Sequence, residues 1–226
     1  MSTEVEWSPT TSPSSCTRTE RAGKRSARAA LYDRFVRTIV LIALTSCAAH
    51  PAAPPAADMN ARVPVVIETS AGDLHCTVDG TRAPHAASMV VHLARGEASW
   101  RDPKTGHVVS RPYYDGLPFF RSIPGVLAQT GCAVGDGSST PGYRIPIEAG
   151  EVELLSKPGV LLLARYQPPP NRIDPNPPRD PIGAQLVVAL ADMSHLAGQV
   201  TVLGQCGELD AIQRITEGGA YVVRVR

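Results

Sequence analysis

The apolar residues of this chain predict a mainly β fold, a barrel of strands with two helices. Two observations lead there. Short runs with a period of two recur from Val63 onward, around Val65–Val78, Val126–Gln129, Gly159–Ala164, Gln185–Leu190, Gln199–Leu203 and Tyr221–Val225. Only two stretches, Pro84–Leu93 and Glu208–Thr216, carry helical spacing. Many strands with so few helices suit an all-β barrel better than a layered α/β fold.

The elements follow in order. Val65 and Ile67, then Leu74, Cys76 and Val78, alternate on either side of Ser70-Ala-Gly-Asp73, which predicts a hairpin. Pro84 opens a helix with Ala86, Val90 and Leu93 on one face, and Gly96 stands just past its end. Arg95 to Pro112, with Trp100 and Asp102-Pro-Lys-Thr-Gly106, reads as an extended loop. Ile123-Pro-Gly125 is a turn signal, and a strand leaves it through Val126, Leu127, Ala128 and Gln129. Three apolar runs follow, then a short helix through Leu209, Ile212 and Ile215, and Tyr221-Val-Val-Arg-Val225 closes the chain.

With 226 residues and 43% apolar content, one sizeable core can form. A net charge of +1 gives no reason to expect a nucleic-acid partner. The domain is placed at 63–226. Ahead of it, residues 1–33 are rich in Ser, Thr, Pro, Arg and Glu and lack apolar periodicity, so they read as a disordered leader. Residues 34–47 change character. Arg34 and Arg37 precede Thr38-Ile-Val-Leu-Ile-Ala-Leu44, then Thr45-Ser-Cys47, the order of a secretory signal. The run is too short to span a bilayer as a helix. Leu44-Thr-Ser-Cys47 resembles a bacterial lipoprotein signal, which implies a lipidated Cys47 and an Ala/Pro-rich tether over 48–62. A start further along the chain than Met1 would give that signal an ordinary length. The alternative is a chance apolar patch in the leader.

The chemistry concentrates in Tyr114-Asp-Gly-Leu-Pro-Phe-Phe-Arg-Ser-Ile-Pro-Gly-Val-Leu-Ala-Gln-Thr-Gly131. With the turn between them, Arg121 and Gln129 can point into one shallow apolar groove. A guanidinium held there is costly without partners, and it is free to donate hydrogen bonds to a bound carbonyl. This pattern resembles the Phe-x-Arg-x-Ile-Pro-Gly-x-x-x-Gln core of the cyclophilin-type peptidyl-prolyl isomerases. Phe119, Arg121, Ile123, Pro124, Gly125 and Gln129 match it in order and spacing. Lys157-Pro-Gly-Val-Leu-Leu-Leu-Ala164, Gly183-Ala-Gln-Leu-Val-Val188 and His195-Leu-Ala-Gly-Gln-Val-Thr-Val-Leu-Gly204 are similar to three later family segments. The resemblance spans about Val63 to Arg226. It implies an eight-stranded antiparallel barrel capped by two helices.

It also implies X–Pro isomerisation without a covalent nucleophile. Amide resonance sets a barrier of about 18–20 kcal/mol, so the uncatalysed step takes roughly tens to hundreds of seconds. Twisting the bond localises the lone pair on the proline nitrogen. A donor that bonds better to the twisted form lowers the barrier. The resemblance assigns that donor to Arg121. Gln129 would orient it or hold substrate backbone, and Gln185 would contact the peptide beside the proline. The remaining substrate-binding candidates are Phe119, Val126, Leu127, Val187, His195, Leu196 and Val200.

Here the chain departs from the family. Val126, Leu127, Val187, Leu196 and Val200 stand where active members usually have Phe, Met, Phe, Leu and His. The pocket stays apolar but is wider and loses ring-on-ring packing. His195 replaces a frequent Trp, and Arg165 a frequent Asn. Reduced turnover or altered substrate choice follows. The alternative to an isomerase is a catalytically weak or inactive proline-peptide-binding or scaffold module.

Tyr166 to Pro181 is a proline-rich loop of this chain's own, stiff and extended, that leads toward the groove rim. Of five cysteines, Cys76, Cys132 and Cys206 lie in the domain. They form one pair and a free thiol, with the pairing open, or remain three small buried hydrophobes. The six histidines show no ligand spacing, and no phosphate-binding glycine loop or nucleophile elbow appears. No cofactor and no metal are expected. The implied protein is a monomer of the bacterial cell envelope, lipid-anchored or secreted, acting on proline-containing polypeptides and touching membrane only through Cys47.

Overall fold

The computed structural model describes residues 50–55, 59–166 and 182–226, within one compact unit, Ala48–Arg226. The leader, the signal segment with Cys47, and residues 167–181 of the proline-rich loop lie outside the described residues. The strands are β1 (Arg62–Thr69), β2 (Leu74–Asp79), β3 (Trp100–Arg101), β4 (Val108–Val109), β5 (Arg121–Ile123), β6 (Leu127–Thr130), β7 (Val160–Arg165), β8 (Ile182–Ala189), β9 (Thr201–Cys206) and β10 (Val222–Val225). Two helices, α1 (Pro84–Arg95) and α2 (Leu209–Thr216), accompany them. Eight strands make one antiparallel sheet in the order β10-β1-β2-β9-β7-β8-β6-β5. The sheet curls until Pro118, just ahead of β5, bridges Tyr221, just ahead of β10. That is the mainly β, barrel-like fold with two helices that the periodicities predict.

Each helix is held by chemistry near its ends. Pro84 opens α1, and the Glu148 carboxylate accepts hydrogen bonds from the backbone N–H groups of His85 (3.1 Å) and Ala86 (2.8 Å). Gly96 ends it in the left-handed region at φ 73°, where glycine avoids the Cβ penalty. Helix α2 lies under β5 and β6. Ser122 Oγ donates to the Ile215 carbonyl at 3.3 Å, and the Gly125 N–H donates to Thr216 Oγ1 at 3.1 Å.

Alternation sorts the sheet's side chains onto two faces, both apolar. Leu161, Leu163, Ala184, Leu186, Val188 and Leu203 point to the main core with α1, α2, Tyr113 and Tyr114. The intervening Leu162, Val187, Ala189 and Val202 belong to a second cluster on the opposite face. Leu155, from a 3-10 turn at Val152–Ser156, and Met193 join that second cluster. Strand β8 is therefore buried at every position, which explains an apolar sequence interrupted only by Gln185.

Three regions differ from the sequence expectation. The described parts of the Ala/Pro-rich segment lie on the barrel, where the Pro55 carbonyl accepts from Ser88 Oγ at 2.7 Å and Met59 joins the core. Arg95–Pro112 contains a small hairpin, β3 with β4. Two-residue strands leave no readable period. The hairpin is anchored by buried Trp100, whose Nε1 donates to the Arg111 carbonyl at 2.9 Å while the Arg111 guanidinium covers its ring. Phe119 and Phe120 precede β5 and are not part of it.

The cysteine pairing is also decided. Cys76 and Cys206 are directly opposite on β2 and β9 and form a disulfide, leaving Cys132 as a free, buried thiol. The bridge closes a loop across a sequence separation of 130 residues. Its loss returns conformational freedom to the unfolded chain and costs about 2–5 kcal/mol of stability. A Cys76→Ser/Cys206→Ser double variant is expected to unfold at lower urea concentration by that margin, and a reductant should shift the native protein but not the variant.

Candidate active site

The second apolar cluster is bordered by the β5–β6 hairpin, which carries the polar candidates Arg121 and Gln129. Pro124 and Gly125 occupy the centre of its turn, and the Val126 N–H donates to the Ile123 carbonyl at 2.9 Å. Gly125 has φ 69° with open space around it, so conformation, not crowding, calls for glycine. The turn fixes the register: Arg121 faces Gln129, Ser122 faces Ala128, and Ile123 faces Leu127. Gln129 in turn faces Val187 on β8, and Val187 faces Leu162 on β7. Residues directly opposite share a face. Arg121, Gln129 and Val187 thus form one row that runs from charged to amide to apolar.

Arg121 is exposed and has no hydrogen bond or ion pair among the described residues. The sequence expectation of a guanidinium sunk in the groove is modified, because it stands at the edge where water reaches it. Gln129 is buried, and its Nε2 donates to Gln185 Oε1 at 2.8 Å. Gln185 Nε2 donates to the carbonyls of Gly137 (2.7 Å) and Ser139 (3.3 Å). Both ends of the Gln185 amide are therefore committed within the protein. Its side chain fixes the orientation of Gln129 and leaves Gln129 Oε1 as the open acceptor.

Close backbone approach makes this pair possible. At Gly131 (φ 88°) an added Cβ would lie 2.4 Å from the Ala184 carbonyl oxygen. Tyr113 donates its hydroxyl to the Gly131 carbonyl (3.0 Å) and Tyr114 to the Ala184 carbonyl (3.1 Å). Burial pushes both phenols well above their ordinary values, so they remain neutral donors. The loop that receives Gln185 is itself gathered on Cys132, whose Sγ accepts from the N–H groups of Gly137 (3.2 Å) and Ser139 (3.4 Å). Burial raises the Cys132 thiol, but bonds from the Ser139 side chain and backbone and from neighbouring N–H groups outweigh it, and the thiol lies below its usual value.

The other candidates separate by location. Leu127, Val187 and Val200 lie in the second cluster, with Val126 and Leu196 half-buried against it. Phe119 does not: its ring is buried in the main core, because the chain ahead of β5 leaves the strand's alternation and the Phe119 N–H bonds the Ala220 carbonyl. His195 is exposed in a 3-10 turn, Ser194–Leu196, beside Asp192. Hydrogen bonds from Ser194, then the charge of His195, hold the Asp192 carboxyl below its usual range. Met193, Leu155 and Ile123 complete the apolar floor. Sequence reasoning did not find them, although an isolated Met between polar residues just after β8 was a usable signal. Among the described residues no group of His, Cys, Asp and Glu could hold a metal ion.

Residues 64–222 match the family model described as cyclophilin type peptidyl-prolyl cis-trans isomerase/CLD. The chain belongs to the cyclophilin family. Among similar proteins, peptidyl-prolyl cis-trans isomerase B of Streptomyces anulatus is 28% identical over 139 residues, covering 62% of this chain and 73% of that one. Peptidyl-prolyl cis-trans isomerase A of Mycobacterium tuberculosis is 28% identical, covering 67% of this chain and 76% of that one. A cyclophilin type isomerase of Cryptosporidium parvum has a similar fold, with a TM-score of 0.54 at 18% identity, covering 73% of this chain and 96% of that chain. The same protein solved in the presence of the dipeptide Ala-Pro gives a TM-score of 0.53 at 18% identity, covering 72% of this chain and 97% of that chain. The enzyme class of this cyclophilin is peptidyl-prolyl cis-trans isomerisation.

The commitment of Gln185 is testable. Gln185→Leu leaves the half-buried Gly137 and Ser139 carbonyls without this donor, a cost of about 1 kcal/mol, and frees the Gln129 amide to turn. The variant should unfold at lower denaturant and lose turnover, while Gln185→Glu, which cannot donate to the two carbonyls, should resemble it. A Gln185→Leu variant of unchanged stability would sink the assignment.

Proposed function

We propose that this cyclophilin lowers the barrier to X–Pro rotation by hydrogen bonding from Arg121 in a groove floored by the second apolar cluster. One observation carries the reading: an exposed guanidinium, unpartnered among the described residues, stands directly opposite an anchored glutamine, at the edge of an apolar face. The proline ring displaces water from the cluster around Leu127, Val187 and Val200, at roughly 25 cal/mol per Å² of apolar surface buried. Gln129 Oε1, its orientation fixed by Gln185, accepts from the substrate backbone or from Arg121. As the X–Pro bond twists, the proline nitrogen regains its lone pair and becomes an acceptor. A donor that meets the twisted form better than the planar one accelerates rotation in both directions without a covalent step. That a protein of similar fold was solved in the presence of the dipeptide Ala-Pro supports proline-containing peptides as ligands.

A second reading rests on the same floor. Leu127, Val187 and Val200 retain only 9%, 7% and 8% exposure, so little of their surface is open to a proline ring. Such a surface binds the ring weakly and favours a proline-peptide-binding module of low turnover. A protease-coupled proline-peptide assay on the full chain separates the readings. The native protein is expected to accelerate isomerisation, and Arg121→Ala to reduce kcat/KM on the order of 100-fold, as for loss of one transition-state donor. Acceleration that survives the substitution would remove Arg121 from the mechanism. Peptide binding without any acceleration would establish the binding module.

The site of action proposed is the bacterial envelope, with Cys47 lipidated. The Cys76–Cys206 disulfide supports an oxidising compartment. Radiolabelled palmitate should enter the native protein expressed in bacteria and be absent from Cys47→Ser; equal labelling would refute the anchor.

A further inference from the structure

We propose that Tyr166 walls off the groove at the Gln185 end of β8 and so selects a small residue on one flank of the bound proline. The inference rests on the groove proposed above and concerns which sequences it takes. On β7, Leu163 joins the main core, while Ala164 packs against the second cluster, on the groove side. Arg165 pairs with Ile182, a core residue, and so belongs to the opposite face. Tyr166, two residues after Ala164, returns to the groove side. Two contacts hold it there. Its hydroxyl donates to the Ser138 carbonyl at 3.2 Å, and the Arg144 guanidinium lies over its ring, 5.3 Å from the centre.

Ser138 stands between Gly137 and Ser139, the two residues whose carbonyls accept from Gln185 Nε2. Gln185 also holds Gln129, so the loop at 137–140 lies on the groove side of β8. Thr140 covers the same row, since a Cβ added at Gly183 would meet its methyl at 3.4 Å. In the sheet, β8 lies between β7, which leads to Tyr166, and β6, which leads to the loop. A phenol that reaches from the one to the other crosses β8 on its groove face. Along that face β8 presents Val187, Gln185 and Gly183, and only Val187 belongs to the apolar cluster. Val187 and Gln185 are roughly 7 Å apart along the strand, the length of two residues of an extended peptide. A proline ring seated over Val187 therefore has one neighbour short of the phenol. Tyr166 is half-buried and held from two sides, so it leaves that position only by losing both contacts. Glycine or alanine fits the space that remains, and a larger side chain meets the wall.

The test uses the full chain and four series of proline peptides, with Gly, Ala, Leu or Trp at one of the two positions on either side of the proline. Catalysed exchange is read by NMR exchange spectroscopy. At one flank, Ala should exceed Trp in kcat/KM by about ten-fold or more, with Leu between them, the scale on which a filled pocket rejects added bulk. Ratios between peptides within one variant are independent of how much of that variant folds. Tyr166→Ala should bring the Ala-to-Trp ratio to about two or below. Tyr166→Phe keeps the ring and should keep the preference for Ala; loss of the preference in both variants would mean that Tyr166 only holds the Ser138 carbonyl, and would overturn the proposal. Equal rates for all four side chains at every position also overturn it, as does a native ratio that persists in Tyr166→Ala. If no peptide is turned over, isomerisation fails as a reading, and the same peptides then decide selectivity by chemical-shift titration. Tighter binding of Ala than of Trp supports it, and equal binding removes it.

Discussion

Everything at this site depends on a sheet that is buried on both faces while keeping one residue parity. Strands β6, β8 and β7 send one set of side chains to the main core and the alternate set to the groove cluster. A slip of one residue would exchange the sets. Gln129 and Gln185 would then enter the hydrocarbon core, and Ala128, Leu186 and Val188 would form the groove floor. The energetic gap against that slip is large, since two buried amides would lose their partners. The register is pinned at one end by the Pro124–Gly125 turn and at another by the hydroxyls of Tyr113 and Tyr114 on the Gly131 and Ala184 carbonyls. Function here is a consequence of parity.

The polar half of the site is built from backbone as much as from side chains. Gly131 allows β6 to approach the Ala184 carbonyl, which brings Gln129 and Gln185 within bonding distance. Gln185 then gathers the loop through two carbonyls, and the Cys132 sulfur gathers it through two N–H groups. The result is an amide held from behind, facing outward by elimination of every other orientation. Such preorganisation means that Gln129 need not reorganise when a substrate arrives. Arg121 is the opposite case, an exposed side chain with many rotamers, whose ordering on any ligand would cost conformational entropy.

Most of the fold was legible because period and punctuation agreed. The β1–β2 hairpin, α1 between Pro84 and Gly96, and α2 with the closing strand all follow from local pattern, and the Pro124–Gly125 turn follows from type-specific residues. What was not legible depends on contacts far apart in sequence. The pairing of Cys76 with Cys206 is a fact of β2–β9 register, across 130 residues. The β3–β4 hairpin has strands too short for any period, and only buried Trp100 holds it. Phe119 matches a family motif and yet faces the core, because a motif position gives spacing and not the direction of a ring.

The valine floor shows how such a cluster can lose aromatics and remain intact. Replacing a large ring by Val on a sheet face would open a cavity, at a cost that grows with the volume left unfilled. Here Met193 reaches the floor from the turn after β8, and Leu155 reaches it from the 3-10 turn Val152–Ser156. Methionine's unbranched, flexible chain suits an irregular gap. The cluster therefore closes on itself, and Met193 and Leu155 are 3% and 1% exposed. The same closure leaves little of the cluster exposed. At the edge of that face Arg121 stands exposed and unpaired among the described residues. Little exposed apolar surface and an open cation belong together. A groove that gains less from desolvating a ring can recover selectivity through a charge on its edge, which costs little to keep in water.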